Sequence, residues 1–185
     1  AAGHSACIAL DLADEYSQNW NQLVLVAPTW RGPLPTMTGL YPAKFGWLRQ
    51  LVLLPVVGPI FYHLNTSRFI LKLMLRRHVW VDTSLLTTKQ IFEQQKLSRR
   101  SGSRFASISF VSGGFDPAGD RSWWFGQVKR LKCSMHVVVA MDAPPRSKRE
   151  MELLADYAQQ VSEIKGRLGL HQEFGAILCE RVLSD

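Results

Sequence analysis

The chain has 185 residues, of which 46% are hydrophobic and 20% are charged, which is ordinary for one soluble globular domain with a core of its own. Its three cysteines, Cys7, Cys133 and Cys179, are odd in number and widely spaced. This pattern favours free thiols in a reducing compartment over a disulfide framework or a zinc site, and it predicts that Cys7 is a buried structural residue.

The formal net charge of +7 is unevenly distributed, because residues 31–132 hold 16 Lys and Arg against 4 Asp and Glu. Such a basic middle segment can attract an anionic substrate, a membrane surface or nucleic acid, or it can be a solvated face. No nucleic-acid-binding motif accompanies it, so we expect no nucleic-acid partner.

The first residues, Gly3-His4-Ser5-Ala6, have the pattern of a nucleophile elbow, in which a serine sits on a tight, strained turn between a strand and a helix. The alternative is an ordinary helix start with Ser5 as N-cap. Apolar residues at spacings of three and four predict a helix over 5–16. The continuous apolar run at 23–28 predicts a strand buried on both faces, as in a parallel sheet.

The segment after this strand is rich in proline and glycine and should leave the carboxyl end of the sheet, where α/β proteins bind ligands. Trp30 is therefore expected at a pocket, unless it simply packs in a rigid loop. The very apolar stretch 45–64 is broken by Pro55, Gly58 and Pro59, so short cap helices fit it better than a membrane span. A surface-seeking amphipathic segment is the second interpretation.

The last third of the chain predicts a second buried strand at 135–141, a helix opened by a capping box at 147–150, and a short strand at 161–165. Asp142 directly follows the second strand. His171 lies in a glycine-bearing loop after the third strand, before a final helix near 173–183.

These residues combine into one hypothesis. Ser5, Asp142 and His171 stand in the order Ser…Asp…His, each in the secondary-structure context that α/β hydrolases require. Residues 24–33, 144–148 and 169–174 (VLVAPTWRGP, PPRSK and GLHQEF) also resemble uncharacterised hydrolases of cyanobacteria and plastid-bearing eukaryotes.

The resemblance implies an α/β fold, namely the C-terminal part of an α/β hydrolase: a mostly parallel sheet with flanking helices, plus a helical cap. The core would comprise 1–31 and 105–185, and the cap 32–104. The N-terminal half of the fold would be missing.

The same resemblance implies the roles of the site residues. Ser5 would be the nucleophile, His171 the proton acceptor and Asp142 the residue that orients the imidazole, while the backbone N–H of Ala6 would give half of the oxyanion hole. His4 is expected in the pocket wall.

Two positions depart from the family pattern. Cys7 stands where the last glycine of the elbow is usual, and the acid strand lacks the common Gly-x-x-Asp spacing. Asp116, in a Gly-Phe-Asp-Pro turn, is therefore the reserve candidate for the triad acid.

The sequence thus predicts a serine hydrolase of a carboxylic ester or other acyl compound, acting on a small molecule that is hydrophobic or anionic. The alternatives are the same triad with haloperoxidase or C–C hydrolase chemistry, and a non-catalytic relative. His63, His78 and His136 lack partners at ligand spacing, so we expect no metal and no cofactor. We expect no transmembrane segment and an intracellular site, cytoplasm or plastid; the oligomeric state is open.

Overall fold

The computed structural model describes residues 1–116 and 120–183. In chain order its helices are α1 (Ser5–Glu15), α2 (Pro33–Thr38), α3 (Gly46–Leu53), α4 (Val57–Asn65), α5 (Arg68–Met74), α6 (Thr88–Ser98), α7 (Ser103–Val111), α8 (Arg121–Arg130), α9 (Pro145–Ala155), α10 (Leu170–Glu173) and α11 (Gly175–Leu183). The strands are β1 (Gln22–Val26), β2 (Ser134–Ala140) and β3 (Gln160–Ile164). Short 3-10 turns occupy Ser17–Asn19 and Pro42–Phe45, and a π-helical turn, Leu75–Val79, follows α5.

The chain divides into two compact units. The first unit comprises Ala1–Arg31 and the described part of Pro117–Asp185, and the second unit is Gly32–Asp116. The predicted cap segment, 32–104, begins where the second unit begins, but the second unit continues to Asp116 because α7 packs against α3 and α6. The role of this segment as a cap stays a prediction.

The first unit is built on a parallel sheet in the order β1-β2-β3. β2 is the middle strand, and its last six residues are all buried because it has a neighbour on each side and covered faces. The predicted strands at 23–28, 135–141 and 161–165 are confirmed within one or two residues, and so is their parallel arrangement.

The start of the chain adds a short segment to the free edge of β1. Ala2 forms a parallel bridge with Val26, whose N–H donates to the carbonyl of Ala1 at 2.8 Å. The N–H of Gly3 donates in turn to the carbonyl of Val26 at 2.9 Å. Helix α1 therefore starts at the carboxyl end of the sheet, and its apolar side packs on β1.

The hydrophobic core of the first unit surrounds β2. Leu25, Val137 and Val139 from the sheet meet Leu10 of α1 and Met151 of α9, and all five side chains are 2% exposed or less. Burial of such side chains stabilises a fold by about 1.5–3 kcal/mol each. The carboxyl ends of the three strands are thereby held in fixed positions.

Polar contacts join the helices of the second unit. The hydroxyl of Tyr62 in α4 donates to the carbonyl of Ser98 in α6 at 2.7 Å and lies 2.9 Å from the hydroxyl of Ser107 in α7. The guanidinium of Arg49 in α3 donates to the hydroxyl of Ser112, just after α7, at 3.0 Å. These contacts fix α7 in the second unit.

The apolar stretch 45–64 folds as α3 and α4, separated by a sharp bend. Among the described residues, no single helix has the length and apolar composition needed to cross a bilayer. The segments Pro42–Leu53 and Val57–Asn65 have that length and composition only when they are taken together, and they are bent by 109° at the break between them. The bend brings the backbones together at Gly58, where an added Cβ would lie 2.2 Å from the carbonyl oxygen of Val52.

We therefore expect Gly58→Ala to destabilise the protein by about 1–3 kcal/mol, because α3 and α4 must move apart to admit the methyl group. The midpoint of urea unfolding measures the effect. Gly46→Ala is the matched control, because its Cβ would make only an ordinary contact, 3.7 Å from the side chain of Arg49. Equal midpoints for the two variants would contradict the close approach at Gly58.

Candidate active site

Ser5 is the first residue of α1 and follows the short edge segment at the carboxyl end of the sheet. Its side chain is exposed, and its hydroxyl donates to the carbonyl of Ala2 at 2.8 Å. The residue with positive φ in this turn is Gly3, at +57°, whereas the backbone of Ser5 is helical. Ser5 therefore lacks the strained backbone expected of it, and the left-handed conformation lies two residues earlier, at a glycine that adopts it without strain because it has no Cβ.

The next two residues lie inside the first turn of α1. The backbone N–H of Ala6, the expected oxyanion donor, donates to the carbonyl of Gly3 at 3.2 Å in this structure. Cys7 is fully buried, and its thiol lies 3.2 Å from the carbonyl of Thr29. The prediction of a buried structural cysteine at position 7 is confirmed, and all three cysteines are free thiols.

Asp142 lies two residues beyond the end of β2. Its N–H donates to the carbonyl of Gly166 at 2.9 Å, next to a bond from Met141 N–H to the Ile164 carbonyl. These bonds extend the pairing of β2 and β3 past the strands. The carboxylate is exposed, and within residues 1–116 and 120–183 the structure gives it no hydrogen bond.

His171 lies in the short helix α10, which follows β3. Leu170, its neighbour, is fully buried and anchors the helix in the core. The imidazole itself is exposed, with its Nε2 3.3 Å from the side-chain amide of Gln172. The helix thus presents this imidazole to solvent at the carboxyl edge of the sheet.

The topology therefore brings Ser5, Asp142 and His171 to the same edge. The edge segment at Ala2, β1, β2 and β3 are four neighbouring parallel segments, about 4.8 Å apart across the sheet. Ser5 follows the edge segment, Asp142 follows β2 and His171 follows β3. The hydrogen bonds expected between the serine and the imidazole, and between the imidazole and the aspartate, are not formed among the described residues. The structure places the three side chains on one edge without joining them.

Asp116, the reserve acid, belongs to the second unit. Both of its carboxylate oxygens accept from the N–H of Gly32, at 2.9 and 3.1 Å. Gly113, at φ +74°, lies so close that a Cβ there would be 2.5 Å from the carboxylate. In this structure the carboxylate thus ties the beginning of the second unit to its end.

His4 and Trp30, the expected pocket residues, differ in position. His4 is partly buried, and its carbonyl accepts from the N–H of Cys7 at 3.1 Å, so it helps to close the turn before α1. Trp30 is only 3% exposed and belongs to the core, with its indole N–H donating to Glu150 at 3.0 Å. The structure therefore favours the alternative interpretation of Trp30, a packing role in a rigid loop.

Glu150 links three elements of the first unit. Besides accepting from Trp30, its carboxylate pairs with Arg121 at the start of α8, while Arg31 stacks on the Trp30 ring at 4.0 Å. The sequence pattern predicts Glu150 in a capping box, but α9 begins at Pro145 rather than at 147. No local pattern could have revealed its contacts, because its partners are 29 and 120 residues away.

Asp120, next to Arg121, fixes the start of α8. Its carboxylate accepts from the hydroxyl of Ser122 at 2.7 Å and from the N–H of Trp123 at 2.9 Å. These hydrogen bonds hold the pKa of Asp120 below its ordinary value, because they stabilise the charged form. The carboxylate therefore keeps its charge to a lower pH than an ordinary aspartate does, and in that form it caps the start of α8.

We expect Glu150→Ala to destabilise the protein by about 1–3 kcal/mol, because the buried indole N–H of Trp30 loses its acceptor. Glu152→Ala on the same helix is the control, because Glu152 is exposed and its ion pair with Lys148 is long, at 3.7 Å. This variant should change the free energy of unfolding by less than about 1 kcal/mol. Urea unfolding followed by tryptophan fluorescence measures both. A Glu150 variant as stable as the control would show that the bond is dispensable.

Among the described residues, no group of three or more His, Cys, Asp or Glu side chains is placed to hold a metal ion.

Comparison with known proteins gives no matching family model and no matching curated protein. Several solved structures do match. One is MGS-M2, an α/β hydrolase from a deep-sea metagenome, with 13% identity and a TM-score of 0.59; the match covers 98% of this chain and 61% of that one. The second is the enol-lactonase of Burkholderia xenovorans, with 13% identity and a TM-score of 0.60; the match covers 99% of this chain and 62% of that one. The third is a thermophilic esterase of Thermogutta terrifontis, with 14% identity and a TM-score of 0.60; the match covers 99% of this chain and 61% of that one.

The chain therefore has the α/β-hydrolase fold, as its sequence resemblance implies. It spans only about three fifths of the length of these three structures, so it forms a part of that fold. At such low identity the comparisons show the fold alone. The closer resemblance to cyanobacterial and plastid-type hydrolases stays a prediction.

Proposed function

We propose that this chain is the part of a serine hydrolase that carries its nucleophile, acting on a carboxylic ester or another acyl substrate. The observation that carries the proposal is that Ser5, Asp142 and His171 follow parallel strand segments at one carboxyl edge. Catalytic groups of this fold occupy that edge. Two of the similar structures are named as an esterase and an enol-lactonase, which supports an acyl substrate.

In this mechanism the Oγ of Ser5 attacks the acyl carbon while the imidazole of His171 takes the hydroxyl proton. The imidazole then returns that proton to the leaving alcohol, and water later cleaves the acyl-enzyme by the same route. Asp142 orients the ring and stabilises its charged form. The Ser5 hydroxyl must exchange its bond to Ala2 for one to the imidazole, and the two bonds are similar in strength, at about 0.5–1.5 kcal/mol net.

The missing contacts between the three side chains are compatible with this scheme, because catalytic hydrogen bonds often tighten only when substrate binds. A non-catalytic relative is the second candidate. It is favoured by the Ala6 N–H and the Ser5 hydroxyl, both of which have partners within their own turn.

A fluorophosphonate probe separates the two candidates, because it reacts with an activated serine and not with an ordinary one. We expect the chain, or any longer natural protein that contains it, to be labelled, and Ser5→Ala to abolish labelling. Ser17→Ala, which removes another hydroxyl from the first unit, is the control and should keep full labelling. A folded protein that takes no label would favour the non-catalytic relative.

The same probe identifies the acid. We expect His171→Gln and Asp142→Asn to slow labelling by a factor on the order of 10³–10⁴, because the serine loses its base or the base loses its orientation. Asp116→Asn keeps one oxygen for the Gly32 N–H and should label at nearly the normal rate. The opposite ranking of the two aspartate variants would transfer the role to Asp116.

A further inference from the structure

Helix α4 in the second unit leaves large apolar side chains exposed to solvent. Val57, Ile60 and Leu64 are 48%, 57% and 65% exposed, and their spacing of three and four puts them on one face of the helix. Val56, just before the helix, is 66% exposed, and Phe69 on the next helix is 75% exposed. Several large apolar side chains exposed in neighbouring positions are typical of an interaction site.

A cavity of about 290 Å³ lies beside this face. Its lining residues come from α4, the end of α6 and the start of α7: Pro59, Tyr62, His63, Arg99, Arg100, Ser101, Gly102, Arg104 and Phe105. Three of them are arginines, and within this fully described lining there is no acidic residue. Pro59, Tyr62 and His63 line the cavity, and Ile60 and Leu64 are their neighbours along the same helix.

The walls of the cavity are tied together. Arg99 donates to the carbonyl of His63 at 3.3 Å, which joins the end of α6 to α4. Arg104 stacks on the ring of Phe105 at 4.5 Å, so its guanidinium is held at the start of α7. The hydrogen bonds of the Tyr62 hydroxyl to α6 and α7 join the three helices that line the cavity. Arg99 and Arg104 are thus each fixed at the wall of the cavity by a contact of their own.

The charge of the second unit has the same sign as the cavity. Residues 32–116 contain eleven Lys and Arg against three Asp and Glu, a net charge of +8. Arginine binds phosphate through two parallel hydrogen bonds, so a cluster of three arginines suits a phosphate group. A cationic cavity bordered by an apolar helix face matches the surface of an anionic bilayer, where phosphates lie beside acyl chains.

We propose that the second unit docks on a membrane surface rich in anionic phospholipid. A headgroup phosphate enters the cavity of Arg99, Arg100 and Arg104, and the side chains of Ile60 and Leu64 enter the acyl region beside it. This binding is separate from the proposed hydrolysis, so Ser5→Ala leaves it unchanged.

Flotation with vesicles at about 0.15 M salt tests the proposal. We expect the chain to bind vesicles of phosphatidylcholine with phosphatidylglycerol at least about tenfold more tightly than phosphatidylcholine alone. Replacing Arg99, Arg100 and Arg104 together by Ala should remove that difference. Ile60→Ser with Leu64→Ser should also weaken binding to the anionic vesicles, because the apolar insertion is lost.

The matched control replaces Lys132, Arg149 and Lys165, three exposed cations of the first unit, by Ala. It removes the same charge and should bind anionic vesicles as the unchanged chain does, and circular dichroism checks that every variant is folded. Equal losses in the two triple variants would overturn the site, because binding would then follow net charge alone.

Three further results would overturn the membrane as the occupant. The first is tight binding of inorganic phosphate without binding to vesicles, which would indicate a soluble anion. The second is binding of a single-stranded oligonucleotide at least as tight as that of anionic vesicles. The third is a dimer that forms without lipid and is abolished by Ile60→Ser with Leu64→Ser, which would assign the apolar face to a second copy.

Discussion

The parallel pairing of β2 with β1 on one side and β3 on the other is the constraint on which the first unit depends. Because all three strands run the same way, every segment that follows a strand emerges at one edge. A parallel sheet also needs helices on its faces, which is why six consecutive residues of β2 are buried and why α1 and α9 pack on the sheet. The position of the candidate site is thus a consequence of strand direction.

The sequence was sufficient to predict those strands and the segments after them, since a short, continuous, valine-rich run such as 135–141 is typical of a strand buried on both faces. It was also sufficient for the position of Asp142 and His171 relative to the strands. It was not sufficient for the turn at Ser5: a Gly-x-Ser-Ala pattern fits an elbow and a helix start equally well, and in the structure Gly3, not Ser5, has the left-handed conformation.

Two of the contacts that could not be predicted from the sequence are long-range. Glu150 accepts a hydrogen bond from Trp30, which is 120 residues away in the sequence. Asp116 accepts one from Gly32, which is 84 residues away. The local patterns gave these residues other roles, a capping box and a reserve triad acid. Gly58 is a third case: proline and glycine predicted the break in the apolar stretch, but only the crossing of α3 and α4 shows why that position excludes a side chain.

The bond between Gly32 and Asp116 joins the first and last residues of the second unit. It holds the entrance and exit of the second unit side by side, as in a domain inserted into a surface loop. A unit with adjacent ends can be lengthened, shortened or exchanged without displacing the strand ends that precede and follow it. In such an arrangement the sequence of the second unit can change without changing the positions of the strand ends in the first.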